Sequence, residues 1–194
     1  MSRVRRTAFD HFGLVAGIYD RVITTSAAER LRHLAQLGPE DRLLDAGGGT
    51  GRIATELREH VRSLAVFDLS YGMLREAARK DDLTPCQGAV EALPFGDGAF
   101  TKIVAVDTFH HFGHQPAAAR ELLRVLAPGG RLVIEEPDIR YGSVKLVALG
   151  ERLALMRSRF LRPDALMRHF EAPRTRMRLV EEAPNYWVVV EKVV

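Results

Sequence analysis

Apolar positions follow two rhythms along this chain. Short runs at residues 42–45, 64–67, 102–106 and 131–135 are nearly continuous in Leu, Val, Ile and Ala, with a weaker run near 85–88. Continuous runs of this length, closed by Gly, Pro or Asp, predict strands buried on both faces. Between them lie stretches whose apolar residues recur every three or four positions. Residues 27–37 carry Ala28, Leu31, Leu34 and Ala35 before Gly38-Pro39, and residues 52–59, 71–79 and 117–126 read the same way. Ser70 is placed to cap the third of these helices, and Pro128-Gly129-Gly130 stops the fourth. Residues 143–160 predict a long helix, and 164–170 a shorter one after Pro163. Two last runs, 177–182 and 186–190, joined at Ala183-Pro184-Asn185, predict an antiparallel hairpin at a sheet edge. The sum is an α/β fold: a doubly wound, mostly parallel seven-stranded sheet with a C-terminal antiparallel hairpin and helices between the first five strands. A ligand site is expected at the carboxyl ends of its strands.

Composition changes this picture little. A chain of 194 residues, 46% apolar and 27% charged, predicts one globular domain over 1–194. Residues 1–37 are expected as an N-terminal helical lid and 141–171 as a helical cover over the substrate region. No window approaches 18 uncharged apolar residues, so no membrane span is predicted. The basic N-terminus is not followed by an apolar stretch, which argues against a secretory signal and for the cytoplasm. The single cysteine, Cys86, excludes an internal disulfide and any multi-cysteine metal cluster; it reads as a small buried hydrophobe. The net charge of +3 is mild. Basic residues thicken from Arg152 to Arg178 without interleaved aromatics, which predicts a solvated helical face and no nucleic-acid partner.

The sharpest chemical signal is Asp45-Ala46-Gly47-Gly48-Gly49-Thr50-Gly51, set between a strand and a helix. Glycines permit close backbone approach and unusual dihedrals, and the helix start beyond presents N–H groups to an anion. Asp68 ends the neighbouring strand, where a carboxylate suits the two hydroxyls of a ribose. The pair points to an adenosine-containing ligand. Gly49-Thr50-Gly51-Arg52-Ile53-Ala54 also fits the dinucleotide pattern G-x-G-x-x-G/A, so the identity of that ligand stays open on these residues alone.

Residues 45–51 resemble the D-x-G-x-G-x-G motif of class I S-adenosylmethionine (SAM)-dependent methyltransferases, in which the leading acid belongs to the motif. Four further segments match in order: Asp68-Leu69-Ser70 with Met73-Leu74; Glu91-Ala92-Leu93-Pro94-Phe95 with Asp97-Gly98-Ala99-Phe100; Phe109-His110-His111-Phe112; and Leu126-Ala127-Pro128-Gly129-Gly130. Upstream, Phe9-Asp10 and Tyr19-Asp20 resemble the start of the ubiquinone- and menaquinone-biosynthesis-type (type 11) branch. The resemblance covers residues 9–136 and implies a Rossmann-like sheet, SAM as cofactor with S-adenosylhomocysteine as product, and methyl transfer as the activity.

Carried over residue by residue, the resemblance implies that Asp45, Gly47, Gly49 and Gly51 cradle the methionine part of SAM. Asp68 would hold the ribose, Leu69 and Met73 would flank the adenine, and Ala89, Val90 and Asp107 would complete the cofactor site. Two positions depart from the family pattern. Ala89 stands where an acidic residue commonly meets the adenine amino group, and Lys102 stands where aspartate is common.

Methyl transfer is an in-line displacement that depends on alignment, with a base needed only when the acceptor arrives protonated. His110 and His111 are the candidate bases, Tyr19 is a candidate lid residue, and Glu136 and Asp138 are placed to line the pocket. Glu135 and Glu136 alternate, so one of them should face inward. The adjacent histidines do not match zinc-ligand spacing, and no metal is expected. The apolar surplus of residues 141–171, among it Leu146, Val147, Leu153, Leu155, Met156, Phe160, Leu166 and Met167, favours a small apolar acceptor. Two other readings remain. One is a non-catalytic SAM-binding or scaffold protein, supported by Ala89. The other is an NAD(P)-dependent oxidoreductase, for which Tyr141 and Lys145 match a Tyr-x-x-x-Lys element.

Overall fold

The computed structural model describes residues 26–80, 82–153 and 158–194. Its elements are α1 (Ser26–Ala35), β1 (Arg42–Ala46), α2 (Arg52–Leu57), β2 (Ser63–Asp68), α3 (Tyr71–Ala77), β3 (Thr84–Gln87), β4 (Phe100–Val106), α4 (Gln115–Val125), β5 (Leu126–Pro137), α5 (Gly142–Leu153), α6 (Pro163–Arg168), β6 (Thr175–Glu182) and β7 (Asn185–Lys192). The strands form one sheet in the order β3-β2-β1-β4-β5-β7-β6. The first five run parallel, and β7 lies antiparallel between β5 and β6. This is the doubly wound sheet with a C-terminal hairpin that the pattern predicts.

Period-two alternation explains why the central strands are apolar throughout. Leu44, Ile103, Ala105, Leu132, Ile134, Val188 and Val190 face one core, beneath α4 and α6. Their neighbours Leu43, Val104, Val133 and Val189 face the other, beneath α1 and α2. Each layer removes a complete set of aliphatic side chains from water, worth about 1.5–3 kcal/mol apiece. Of the expected N-terminal lid, residues 28–35 are core: Ala28, Leu31, Leu34 and Ala35 are all buried under the sheet. Residues 1–25, with Tyr19, lie outside the described residues. Cys86 is half-buried against the first core.

Three element predictions need correction. No α-helix joins β3 to β4; a 3₁₀ turn at Val90–Ala92 does, because Pro94, Gly96 and Gly98 follow too closely for a helix to propagate. Residues 126–130, expected as helix end and turn, are already the first part of β5, with a register irregularity against β4. Of the helix expected over 143–160, α5 covers Gly142–Leu153, and residues 158–162 are non-helical. Backbone bonds away from a helix account for the latter: Arg159 N–H donates to the His110 carbonyl at 2.7 Å.

Candidate functional site

The first half of the site is the turn after β1. The N–H groups of Gly47 and Gly48 donate to the Phe67 carbonyl at 2.7 and 3.2 Å, binding the turn to β2. Gly47 has φ +74°, and a Cβ there would fall 2.1 Å from the Thr108 hydroxyl oxygen. The turn thus lies directly on the end of β4, which no other residue type permits. At Gly49, φ is +55°, and among the described residues the only atom near an added Cβ would be the Met73 sulfur at 4.0 Å. That glycine leaves bare backbone uncovered by the described side chains.

Asp68 secures the same surface. One carboxylate oxygen accepts from Gly49 N–H at 2.9 Å and the other from Ser70 N–H at 2.7 Å. Ser70 in turn caps α3, its hydroxyl accepting from Met73 N–H at 3.2 Å. Gly88 N–H donates to the Asp68 carbonyl at 2.9 Å, which brings the segment with Ala89 and Val90 beside β2. Leu69 is 68% exposed there, Met73 and Val90 are buried, and Ala89 is exposed. Asp45 is 1% exposed. It accepts the Ala54 N–H at the start of α2, yet its Oδ2 is buried without a partner. Burial first, and the charge of Asp68 second, push its carboxyl up to about 7. The residues predicted for the cofactor therefore converge at the carboxyl ends of β1 to β4.

The second half follows β4. Asp107 adopts φ +51°, and burial pushes its carboxyl up to about 6, against the opposing charge of His110 and with that of Glu136 in support. Glu136, buried at the end of β5, organises the turn that follows. Its Oε1 accepts from Thr108 N–H at 3.1 Å and from Phe109 N–H at 2.7 Å, and its Oε2 meets His110 Nδ1 at 2.8 Å. Burial alone would lower the His110 pKa; the charge and hydrogen bond of Glu136 outweigh it and hold His110 above its ordinary value. His111 goes the other way, pushed down to about 3 by burial and the charge of His110. Glu135 points to the opposite face, where it accepts from Asn185 at 2.7 Å. Burial pushes its carboxyl up to about 7. Of the doublet, Glu136 is thus the site residue. Asp138 instead turns to Arg140.

Residues 158–160 close over this turn. The Ser158 hydroxyl meets His111 Nδ1 at 3.0 Å, and the Phe160 ring stacks on His110 at 4.2 Å between centroids. Gln115 bridges the two segments, donating to the carbonyls of Phe109 and Arg159. Sequence spacing gives no hint of Ser158 or Gln115. Glu136 was legible only as a lining residue, from the acidic doublet that ends an apolar strand.

The apolar surplus of the substrate region divides. Leu166 is core, while Leu146, Val147, Leu149 and Leu153 stand exposed along α5, and Leu155 and Met156 lie outside the described residues. Two open polar clefts, about 510 Å³ beside Thr55, Arg58 and Asp82 and about 420 Å³ beside Arg140 and Arg162, share no residue with either half of the site. Among the described residues no helix is long and apolar enough to cross a membrane.

The fold and the glycine turn resemble those of class I SAM-dependent methyltransferases, and comparison with known proteins points the same way. Residues 44–134 match the model of a methyltransferase domain family. This chain is similar to that family over a little under half of its length. A demethylmenaquinone methyltransferase of Beutenbergia cavernae is 32% identical over 137 residues, which cover 63% of this chain and 57% of that one. A malonyl-(acyl-carrier protein) O-methyltransferase of Erwinia pyrifoliae is 34% identical over 141 residues, 71% of this chain and 53% of its own. The chain thus spans little more than half the length of the curated relatives it matches. Among solved structures, a geranyl diphosphate C-methyltransferase of Streptomyces coelicolor shares the fold with a TM-score of 0.74 at 20% identity, over 87% of this chain and 77% of that one. A 4+2 cyclase shares it equally well, with a TM-score of 0.73 at 18% identity, over 87% and 81% of the two chains. Fold alone does not select the reaction.

Proposed function

We propose that this chain is a SAM-dependent methyltransferase acting on a small, apolar acceptor. The observation that carries this reading is the open Gly49 surface, closed below by Asp68 and backed by the unpartnered Asp45 oxygen. An acidic, partly unsatisfied cradle of bare backbone fits a cofactor with a cationic amino-acid end and a ribose. When bound, SAM supplies a methyl group on a positive sulfur, open to in-line displacement.

The protein's own share of the work is positioning. Asp45 would face the cationic methionine part, and Asp68 the ribose, while its two backbone bonds keep the Gly49 surface open. Leu69 and Met73 would flank the adenine, with the backbone of Ala89 and Val90 at its edge and Asp107 below the methionine part. His110 and His111 would form the acceptor side, since Thr108 just before them packs on Gly47. Glu136 fixes His110 through Nδ1 and is a positioning residue. The exposed leucines of α5 and the quinone named for several relatives support an apolar acceptor.

Ala89 favours a second reading, a protein that binds SAM without turning it over. It is exposed and offers the adenine no side-chain acceptor. Calorimetric titration with SAM, S-adenosylhomocysteine and NADH, followed by mass spectrometry of an acceptor panel that includes reduced quinones, separates the readings. Saturable binding of the first two, lost in Asp68→Ala, with a gain of one methyl mass on an acceptor is the expected result. Binding with no methylated product supports the second reading, and binding of NADH alone overturns both.

A further inference from the structure

We propose that His110, His111 and Glu151 bind one divalent transition-metal ion. The inference goes beyond methyl transfer and stands without it. One donor atom from each residue lies within 4.8 Å of the other two. Two imidazoles and one carboxylate are the donor set that suits zinc and its first-row neighbours. Bonds of about 2.0–2.2 Å place adjacent donors about 3–3.5 Å apart, so the three must draw inward by roughly 1 Å, a distance that side-chain rotation covers.

Three further observations point to a ligand at this place. Histidines that hold a metal commonly pass their other ring nitrogen to a carboxylate, carbonyl or water. Glu136 engages His110 Nδ1 at 2.8 Å, which leaves Nε2 as its coordinating atom. The Ser158 hydroxyl stands at His111 Nδ1 at 3.0 Å. Glu151 Oε2 is buried without a hydrogen-bond partner, a costly state that a cation relieves. The cluster is also held from outside: Arg159 donates to the His110 carbonyl, Gln115 to the carbonyls of Phe109 and Arg159, and Phe160 stacks on the His110 ring. Three protein donors leave coordination positions open. The class of molecule that fits them is a small acceptor bearing a hydroxyl or carboxylate oxygen; that use alone, and not the metal site, rests on the methyltransferase reading.

The test uses the full chain, stripped with chelator and titrated with Zn²⁺, then with Co²⁺ as a spectroscopic probe. One ion per chain is expected, with Co²⁺ absorption in the visible. Glu151→Gln and His111→Asn should each weaken binding by about tenfold or more without lowering the melting temperature of the metal-free protein, and Glu136→Gln by about 10–100-fold. Replacement of the deeply buried His110 risks the fold, which is why these variants carry the test. Binding unchanged in both Glu151→Gln and His111→Asn would place the ion elsewhere, for example on the exposed His33, and overturn the proposal. Absence of stoichiometric binding to a chain that still takes up SAM would also overturn it. SAM titration of the metal-free protein reports separately on the methyltransferase reading.

Discussion

The two halves of the site are made in different ways. At the ends of β1 and β2, the candidate site is built of backbone: glycine dihedrals, N–H groups and one carboxylate 19 residues away along the chain. At the ends of β4 and β5, it is built of side chains drawn from distant segments, with Glu136 26 residues from His110 and Ser158 47 residues from His111. The first half tolerates no added volume at Gly47 and Gly48. The second tolerates little lost polarity, because its buried donors and acceptors are bonded to one another.

Substitution distinguishes the halves, and the largest effect should fall on the second. Glu136→Ala strands two backbone N–H groups and one imidazole in the interior. We expect a loss of about 3–5 kcal/mol, read by chemical denaturation. A loss below 1 kcal/mol would mean that the network is not a unit. In the first half, Gly47→Ala forces a methyl group onto Thr108 at a left-handed φ. The expected cost is about 2–5 kcal/mol together with loss of SAM binding. Gly142→Ala, with nothing within 4 Å, is the control and should change neither.

The next effect is one of pH. The Asp45 carboxyl rises from 3.8 to about 7 on folding, and that of Glu135 from 4.5 to about 7. Between those limits the folded chain holds protons that the unfolded chain has released. The contribution of these two carboxyls should therefore fall as pH rises from about 4 to about 7 and level off above, by an amount on the order of a few kcal/mol, while His111, lowered from 6.5 to about 3, adds stability as pH rises over the same range and offsets part of it. Asp45→Asn should flatten part of that slope in denaturation curves taken across the range. A slope unchanged in Asp45→Asn would show that Asp45 is ionised in the fold. Smallest is Ala89→Asp, which supplies the acceptor that the family pattern has at this position. A several-fold gain in SAM affinity by calorimetry, about 1 kcal/mol, would sharpen the cofactor assignment. No change would mean that backbone already serves the adenine edge.

What could be read from the sequence follows the same division. The strands showed as apolar runs because a sheet covered on both sides must be apolar on both. The glycine turn and Asp68 showed because the chemistry of close approach restricts residue type locally. Boundaries were misread where tertiary bonds outweigh local preference. Residues 158–162 leave the helix because their backbone is bonded to the His110 turn and to Gln115. The 88–99 connection stays short because Pro94, Gly96 and Gly98 break the helix that the βαβ rhythm suggests.

By itself, then, the sequence determined the sheet, the order of its elements and the place of the glycine turn, because period and glycine chemistry are properties of neighbouring residues. Only the tertiary structure decided which of two adjacent glutamates would order the histidine turn. It also decided that Glu151, 40 positions beyond His111, would stand beside the two histidines. No spacing rule carries that information, since it depends on how α5 is placed against the histidine turn.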